Sequence, residues 1–364
     1  MAKIEFSVGF VSTDWSQVDG QIVPNGCTWY RCILPSHELL KSGIKSAVGL
    51  IQIHENRGFG VGGIGVQKVG THKIIVMKVI MHKLVRDHIK KAQKYGQKIV
   101  VDIDDLFDEI HESNMAHGST DPTKNKDNNR VIYSEIIEAS DALICSTPFI
   151  AEHYKAMFPR KPIFVIRNSI DAGRWIPFNS VERQPIIGWL GATPWRSLDL
   201  EQLSGFFNEY LESRNAKFHH SGYLKWAPLA HNKLGIKDAK RVTVSPMVPL
   251  MELPQTYANF DIGIVPLNDI PFNRAKSFIK GLEYAAAGIP FVASALPEYE
   301  YLSACGIGTI ASNKREWFDA LDSLLDAGKR EKESYRCRKI VEADFSIQAH
   351  RKEWISVFRE IDKL

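Results

Sequence analysis

The sequence predicts an α/β protein made of two doubly wound halves, and three observations carry that expectation. Strand-like apolar runs alternate with helix-like runs nearly throughout, which is the rhythm of a parallel sheet wrapped by helices. A stretch of weak periodicity over 168–184 divides the alternation into two series and reads as a linker. The chain also has 364 residues, 44% of them hydrophobic and eight of them Trp, which is enough for two cores and too long for a comfortable single domain.

In the first series, strand-like runs at 4–11, 47–53, 74–76 and 98–102 are separated by a helical run at 30–40 and a basic helix ending at Tyr95. The series continues with a helix over 131–139, a strand over 142–145, a helix over 148–157 opened by Pro148, and a strand over 163–166. Residues 113–129, rich in Asn, Asp, Lys and Thr, read as a mobile loop. The second series opens with the strand 185–191 and continues with a helix over 199–213, strands near 217–222 and 241–245, a helix over 253–259 and a strand over 262–265. A helix over 277–287 and a strand over 290–294 follow. In the last segment Trp354, Val357, Phe358 and Ile361 share one helical face, as expected of a terminal helix packing back across both domains. The expected division is 1–170 for an N-terminal domain, 185–343 for a C-terminal domain, and 344–364 for a helix returning to the first.

Composition narrows the function classes. No apolar run has the length needed to cross a bilayer, and the amino terminus enters a strand pattern with no signal-peptide core, so a soluble, cytoplasmic protein is expected, with a membrane or nucleic-acid surface open as a peripheral location. Five cysteines form no close pair and read as reduced, mostly buried thiols. A net charge of +4 permits a phosphate-bearing ligand without demanding nucleic acid.

The most informative stretch is 272–294. It reads as a loop bringing basic and polar groups to a helix start, then a helix carrying Glu283, a stop at Gly288 and a short apolar strand. Lys276 and Ser277 stand at the expected helix start, where backbone N–H groups attract phosphate, and Lys280 adds charge one turn on. A carboxylate at 283 accepts two hydrogen bonds at the spacing of a ribose diol. Together these suit the nucleotide diphosphate of an activated sugar. The plain alternatives are a solvated glutamate and a surface lysine beside an N-cap serine.

Two such halves, a linker and this motif in the second half resemble the GT-B glycosyltransferases, specifically the group-1 retaining family. The likeness rests on Lys276, Ser277, Lys280, Glu283, Tyr284, Ala285, Ala286, Gly288, Ile289 and Pro290, on the 141–147 strand, on the 165–171 segment and on Ile187 through Gly191. The resemblance implies two Rossmann-like domains facing each other across a cleft, and a hexosyl transfer that retains anomeric configuration and needs no metal. It also implies a nucleotide diphosphate sugar as donor substrate rather than a permanently bound cofactor, a UDP-sugar being favoured and a GDP-sugar the alternative. The acceptor would be a hydroxyl of a glycan, a lipid-linked saccharide, a protein or a hydroxylated DNA base. The family's motif has two glutamates separated by seven residues. This chain keeps the second and has Ala275 at the first, so contacts to the donor sugar fall to Asn273 or to backbone groups.

Other positions fit this reading. Gly191, Thr193 and Arg196 follow the first strand of the second half, where open α/β sheets bind ligands, and Arg196 could clamp phosphate in a bidentate manner or pair with Asp199. Val248 lies in a loop expected against the base. In the first half Gly26 would allow backbone approach and Arg31 would meet phosphate or acceptor, unless it is a solvated helix arginine. Asp104 and Asp105 end a buried strand and could orient acceptor hydroxyls, or cap a helix. The expected catalytic groups are Arg196, Lys276, Asp104 and Asp105.

Two signals point less far. Gly58, Gly60 and Gly63 spell a dinucleotide-binding string, yet no helix or spaced acid follows, so the stretch reads as a flexible loop near the acceptor. Lys83, Arg86, Lys90, Lys91, Lys94 and Lys98 form a basic helical side that reads first as solvated and second as a site for an anionic acceptor. The histidines lack metal-ligand spacing. A catalytically silent nucleotide-sugar-binding module and a nucleotide-sugar epimerase are the rival functions.

Overall fold

The computed structural model describes residues 6–54, 58–62, 69–78, 80–121, 123, 125, 129–177, 184–196 and 198–364, with 51–54 and 58–62 described as backbone. The chain forms two compact units. One contains residues up to 108, 118–169 and 347–364; the other contains 109–117 and 170–346.

The strands of the first unit are β1 (Val8–Ser12), the hairpin β2 (Trp15–Val18) and β3 (Gln21–Pro24), β4 (Ser46–His54), β5 (Gly58–Gly62), β6 (Ile74–Lys78), β7 (Lys98–Ile103), β8 (Ala142–Cys145) and β9 (Ile163–Val165). Seven of them form one sheet in the order β5-β4-β1-β6-β7-β8-β9. Every pairing in it is parallel except β4 with β5. The buried runs of β1, β6 and β8 are those of strands covered on both faces. Gly58–Gly62 is therefore an antiparallel edge strand and not a loop: paired backbone holds a run whose glycines contribute no packing. Residue 63 lies outside the described residues.

The basic helix, Lys83–Lys94, begins at His82, whose ring accepts from the Leu84 N–H, and buries Val85 and Ile89. Lys83, Lys90, Lys91 and Lys94 are exposed, while Arg86 pairs with Glu135 at 2.6 Å. That helix presents a solvated side, as its amphipathic spacing requires. The last helix, Ile347–Asp362, belongs to the first unit. Its Trp354 and Phe358 lie with ring centroids 6.3 and 6.0 Å from Phe10.

The second unit has β10 (Ile186–Leu190), β11 (Lys217–Tyr223), β12 (Val242–Pro246), β13 (Ile262–Val265), β14 (Phe291–Ser294) and β15 (Thr309–Ala311), all parallel, in the order β12-β11-β10-β13-β14-β15. Ile187, Trp189, Phe207, Tyr210, Phe218, Ile262, Ile264 and Trp317 pack in its core. The helix expected over 199–213 is confined to Phe207–Ser213, after a 3-10 turn at Glu201–Leu203. Leu198 takes φ 61° and Phe206 φ −148°, which break the helical path on either side of that turn and leave Asp199 to serve another loop. Residues 109–117 join this unit through Met115 N–H to Pro194 O at 2.9 Å and Asn114 Nδ2 to Trp195 O at 3.1 Å.

Candidate functional site

The helix of the 272–294 stretch runs Ile279–Ala286, with Phe278 as its N-cap. It therefore starts two residues later than expected, which leaves Lys276 and Ser277 on the approach to its amino end rather than inside it. Its other end follows the sequence closely. Gly288 takes φ +73°, the Ile289 N–H bonds to Tyr284 O at 2.9 Å and the Gly288 N–H to Ala285 O at 3.0 Å, the paired bonds of a Schellman stop. The strand β14 follows and pairs with β13, so the whole motif is built onto the middle of the sheet.

Glu283 is 3% exposed, and its Oε2 accepts from Lys280 Nζ at 2.6 Å and from the Tyr257 hydroxyl at 2.7 Å. Lys280 and Glu283 sit three residues apart on one helical face, which explains the pairing. Tyr257 was not singled out by sequence reasoning; it lies in the 3-10 turn Tyr257–Asn259 just before β13. Lys276 places its Nζ 4.2 Å from the ring centroid of Phe272, and its N–H bonds to Asn273 O at 3.1 Å. Ala275, at the position of the absent acid, is fully buried.

A second group comes from the segment after β10. Gly191 is held on both sides: its N–H bonds to Ser221 O at 2.9 Å and its carbonyl accepts from His220 Nε2 at 2.9 Å. Gly222, at φ +99°, lies against it so closely that a Cβ would stand 2.9 Å from Gly191 O. Thr193 is buried with its hydroxyl donating to Pro228 O at 2.6 Å, so this threonine fastens the loop. Arg196 is half-buried, its guanidinium carbon 6.0 Å from the Trp189 ring centroid and its Nε without a partner. Among the described residues it makes no ion pair with Asp199, whose Oδ1 instead accepts from Asn273 Nδ2 at 2.6 Å and the Asn268 N–H at 3.1 Å. Asn273 is thereby anchored between the β10 and β13 loops. Burial pushes the Tyr299 hydroxyl well up; Arg196 opposes the rise while Glu283 and Asp199 add to it, so all four groups share one electrostatic neighbourhood. Val248 is half-buried in the segment after β12.

In the first unit Arg31 does not face solvent. A π-helical turn at Trp29–Ile33 directs it inward, where it is 1% exposed. Its Nη2 reaches Asp102 Oδ2 at 2.7 Å, its Nε reaches Asp102 Oδ1 at 3.0 Å, and its Nη1 donates to Ile166 O at 2.7 Å and Asn168 Oδ1 at 3.1 Å. Burial works to lower the Arg31 pKa, and the charge and hydrogen bonds of Asp102 carry it above its ordinary value. A guanidinium so engaged and so buried is not presented to phosphate. Asp104 is likewise committed, to the buried Lys78. Burial works to raise the Asp104 carboxyl, but Lys78 and the Cys27 thiol bring it below the usual carboxylate range. Lys78 was missed by sequence reasoning, although a lysine closing the apolar run 74–77 is a visible signal. Asp105 is half-buried beside the turn Phe107–Glu109, and Gly26 opens the short turn Gly26–Thr28 with open space where a Cβ would stand. The structure thus gathers Arg196, Asn273, Lys276, Ser277, Lys280 and Glu283 on the second unit, while Gly26, Arg31, Asp104 and Asp105 belong to the first.

No family model matches the chain, and no curated protein matches its sequence. Solved structures do match. The catalytic domain of starch synthase IV from Arabidopsis thaliana, bound to ADP and acarbose, aligns over 99% of this chain and 100% of its own at 11% identity and a TM-score of 0.66. A glycosyltransferase from Rickettsia africae aligns over 98% and 99% at 14% identity and a TM-score of 0.63. Anabaena HepE, in complex with UDP-glucose, aligns over 98% and 100% at 12% identity and a TM-score of 0.58. The class is therefore defined at the level of fold: this chain has the two-domain α/β GT-B fold. No helix among the described residues is long and apolar enough to cross a membrane.

Proposed function

We propose that the protein is a glycosyltransferase that takes a sugar from a UDP- or ADP-sugar and moves it to an acceptor hydroxyl. The observation that carries this is the amino end of Ile279–Ala286, where Lys276, Ser277 and Lys280 surround the approach to a helix whose Glu283 is buried and hydrogen-bonded. Cations and backbone N–H groups at one helix end suit a diphosphate. The fold likeness to proteins solved with ADP or UDP-glucose supports the same reading.

On this reading the second unit holds the donor. Lys276 and Arg196 oppose the charge that grows on the diphosphate as the bond between the anomeric carbon and the phosphate oxygen breaks. The acceptor oxygen bonds to that carbon, and its proton passes to the departing phosphate oxygen on the same face, which gives retention. Charge stabilisation comes from side chains and helix N–H groups, so we propose that transfer needs no cation. Glu283 holds the ribose, with Lys280 and Tyr257 fixing the carboxylate. The first unit is assigned the acceptor, with Asp105 and the Lys78-paired Asp104 as the carboxylates that orient it.

Release or transfer of labelled glucose from UDP-glucose and ADP-glucose tests the proposal. The wild-type protein is expected to turn over one of them, and Lys276→Ala to lose that turnover while melting normally. Equal turnover by the variant, or none by the wild type with a panel of nucleotide sugars, contradicts it.

A further inference from the structure

The carboxyl edge of the second unit's sheet holds two indoles in water. Trp195, in the turn Thr193–Trp195 after β10, is 38% exposed, and Trp226, in the segment after β11, is 63% exposed. Their ring centroids lie 6.1 Å apart with the planes at 82°, so the pair forms an open corner. Aromatic rings left in water together offer a large apolar area for a ligand to cover.

The backbone under this corner is tied down. Thr193 Oγ1 donates to Pro228 O at 2.6 Å, which joins the two tryptophan-bearing segments. His220 joins them again: its Nε2 donates to Gly191 O, and its Nδ1 accepts from the Ala230 N–H at 3.4 Å. Asn114 Nδ2 donates to Trp195 O at 3.1 Å and the Met115 N–H to Pro194 O at 2.9 Å, so a third segment braces the turn. Rings carried on a braced backbone cost less to order when a ligand arrives.

The corner narrows the chemistry of that ligand. Two rings near perpendicular leave no parallel slot for a planar base to enter between them. An anionic membrane surface calls for a cluster of cations, whereas the exposed charges of the segments 111–117, 193–196 and 224–229 are Glu112 and Lys225, one of each sign. Pyranose rings meet the requirement. One face of such a ring is a patch of C–H groups that stacks on an indole, its hydroxyls stay in water or accept from the indole N–H, and it brings no charge. Consecutive rings of a saccharide chain can cover both indoles, one against each wall of the corner.

We infer that Trp195 and Trp226 form a platform that binds the rings of a saccharide chain. The platform shares no residue with the proposed nucleotide contacts, and its occupation needs no nucleotide.

The test is calorimetric titration of maltohexaose, cellohexaose and chitohexaose into the wild type, Trp226→Ala, Trp226→Phe and Trp195→Ala, with UDP titrated into each. At least one hexasaccharide is expected to bind the wild type. Trp226→Ala and Trp195→Ala should each weaken it by about 10-fold or more, Trp226→Phe should keep most of the affinity, and UDP should shift by less than about 2-fold in all three. Trp226 is the more exposed of the two, so its variants answer the question if Trp195→Ala folds poorly. No binding of any hexasaccharide to the wild type overturns the inference, and so does binding that survives both alanine variants. Loss of UDP affinity in Trp226→Ala with saccharide binding intact overturns it in favour of a base contact. Sedimentation with phosphatidylserine vesicles that both alanine variants lose, with no saccharide bound, overturns it in favour of a membrane contact.

Discussion

Replacing Arg31 with Met separates structure from chemistry in the first unit. Arg31 and Asp102 are 1% and 0% exposed as side chains, so the substitution leaves a carboxylate in the interior with no counter-charge. Breaking a buried ion pair in this way costs about 3–5 kcal/mol. Ile166 O and Asn168 Oδ1 lose a donor at the same time, each worth about 1 kcal/mol, and the guanidinium 5.2 Å from the Trp354 ring is lost as well. Relaxation and water entry offset part of this, so a net loss of about 4 kcal/mol is a fair expectation. At roughly 2–4 °C per kcal/mol for a unit of this size, the transition of the first unit should fall by about 8–16 °C. Converting Asp102 to Leu in the same protein should recover much of that loss, because an apolar pair removes the stranded charge. Scanning calorimetry reads both effects, and titration of UDP or ADP into Arg31→Met should match the wild type. A melting point within about 2 °C of the wild type, or a large loss of nucleotide affinity at unchanged stability, would refute the structural assignment and return Arg31 to the binding site.

Two further outcomes follow. Glu283→Ala should lower turnover by about 10- to 100-fold at saturating acceptor, since it removes the charged acceptor shared by Lys280 and the Tyr257 hydroxyl, and steady-state kinetics showing less than about a 2-fold change would contradict the ribose role. Burial, with the neighbouring charge of His220, pushes His219 down to about 4, and burial also lowers His220 against the opposing pull of the Gly191 carbonyl. Because the folded values lie below the unfolded value of about 6.5, the unfolded chain binds more protons in acid. Stability is then complete above about pH 6.5 and falls towards pH 4, by at most about 1.4 kcal/mol per pH unit for each histidine. Urea unfolding at pH 7 and pH 5 checks this, and the same midpoint at both, or no flattening in His219→Gln, would count against it.

Much of this architecture is legible from local pattern. The buried strands of the second unit appear as short apolar runs, the Gly288 stop needs only a residue tolerant of positive φ, and the terminal helix shows its stripe at Trp354, Phe358 and Ile361. What escaped depends on partners distant in the chain. Arg31 reads as a surface arginine because nothing in the sequence shows that a π turn will aim it at Asp102, 71 residues away. Asp199 reads as the opening of a helix because the left-handed Leu198 and the irregular Phe206 are set by packing and not by propensity. Gly58–Gly62 reads as a loop because an edge strand can rest on backbone pairing with β4 alone.

On the proposed reading a nucleotide diphosphate is held at the amino end of Ile279–Ala286. A crystal structure with UDP or ADP bound tests it most directly. Phosphate oxygens are expected about 2.7–3.2 Å from Lys276 Nζ, Ser277 or the first N–H groups of that helix, with the ribose hydroxyls on Glu283. A nucleotide bound to other residues, with Lys276 and Glu283 untouched, contradicts it.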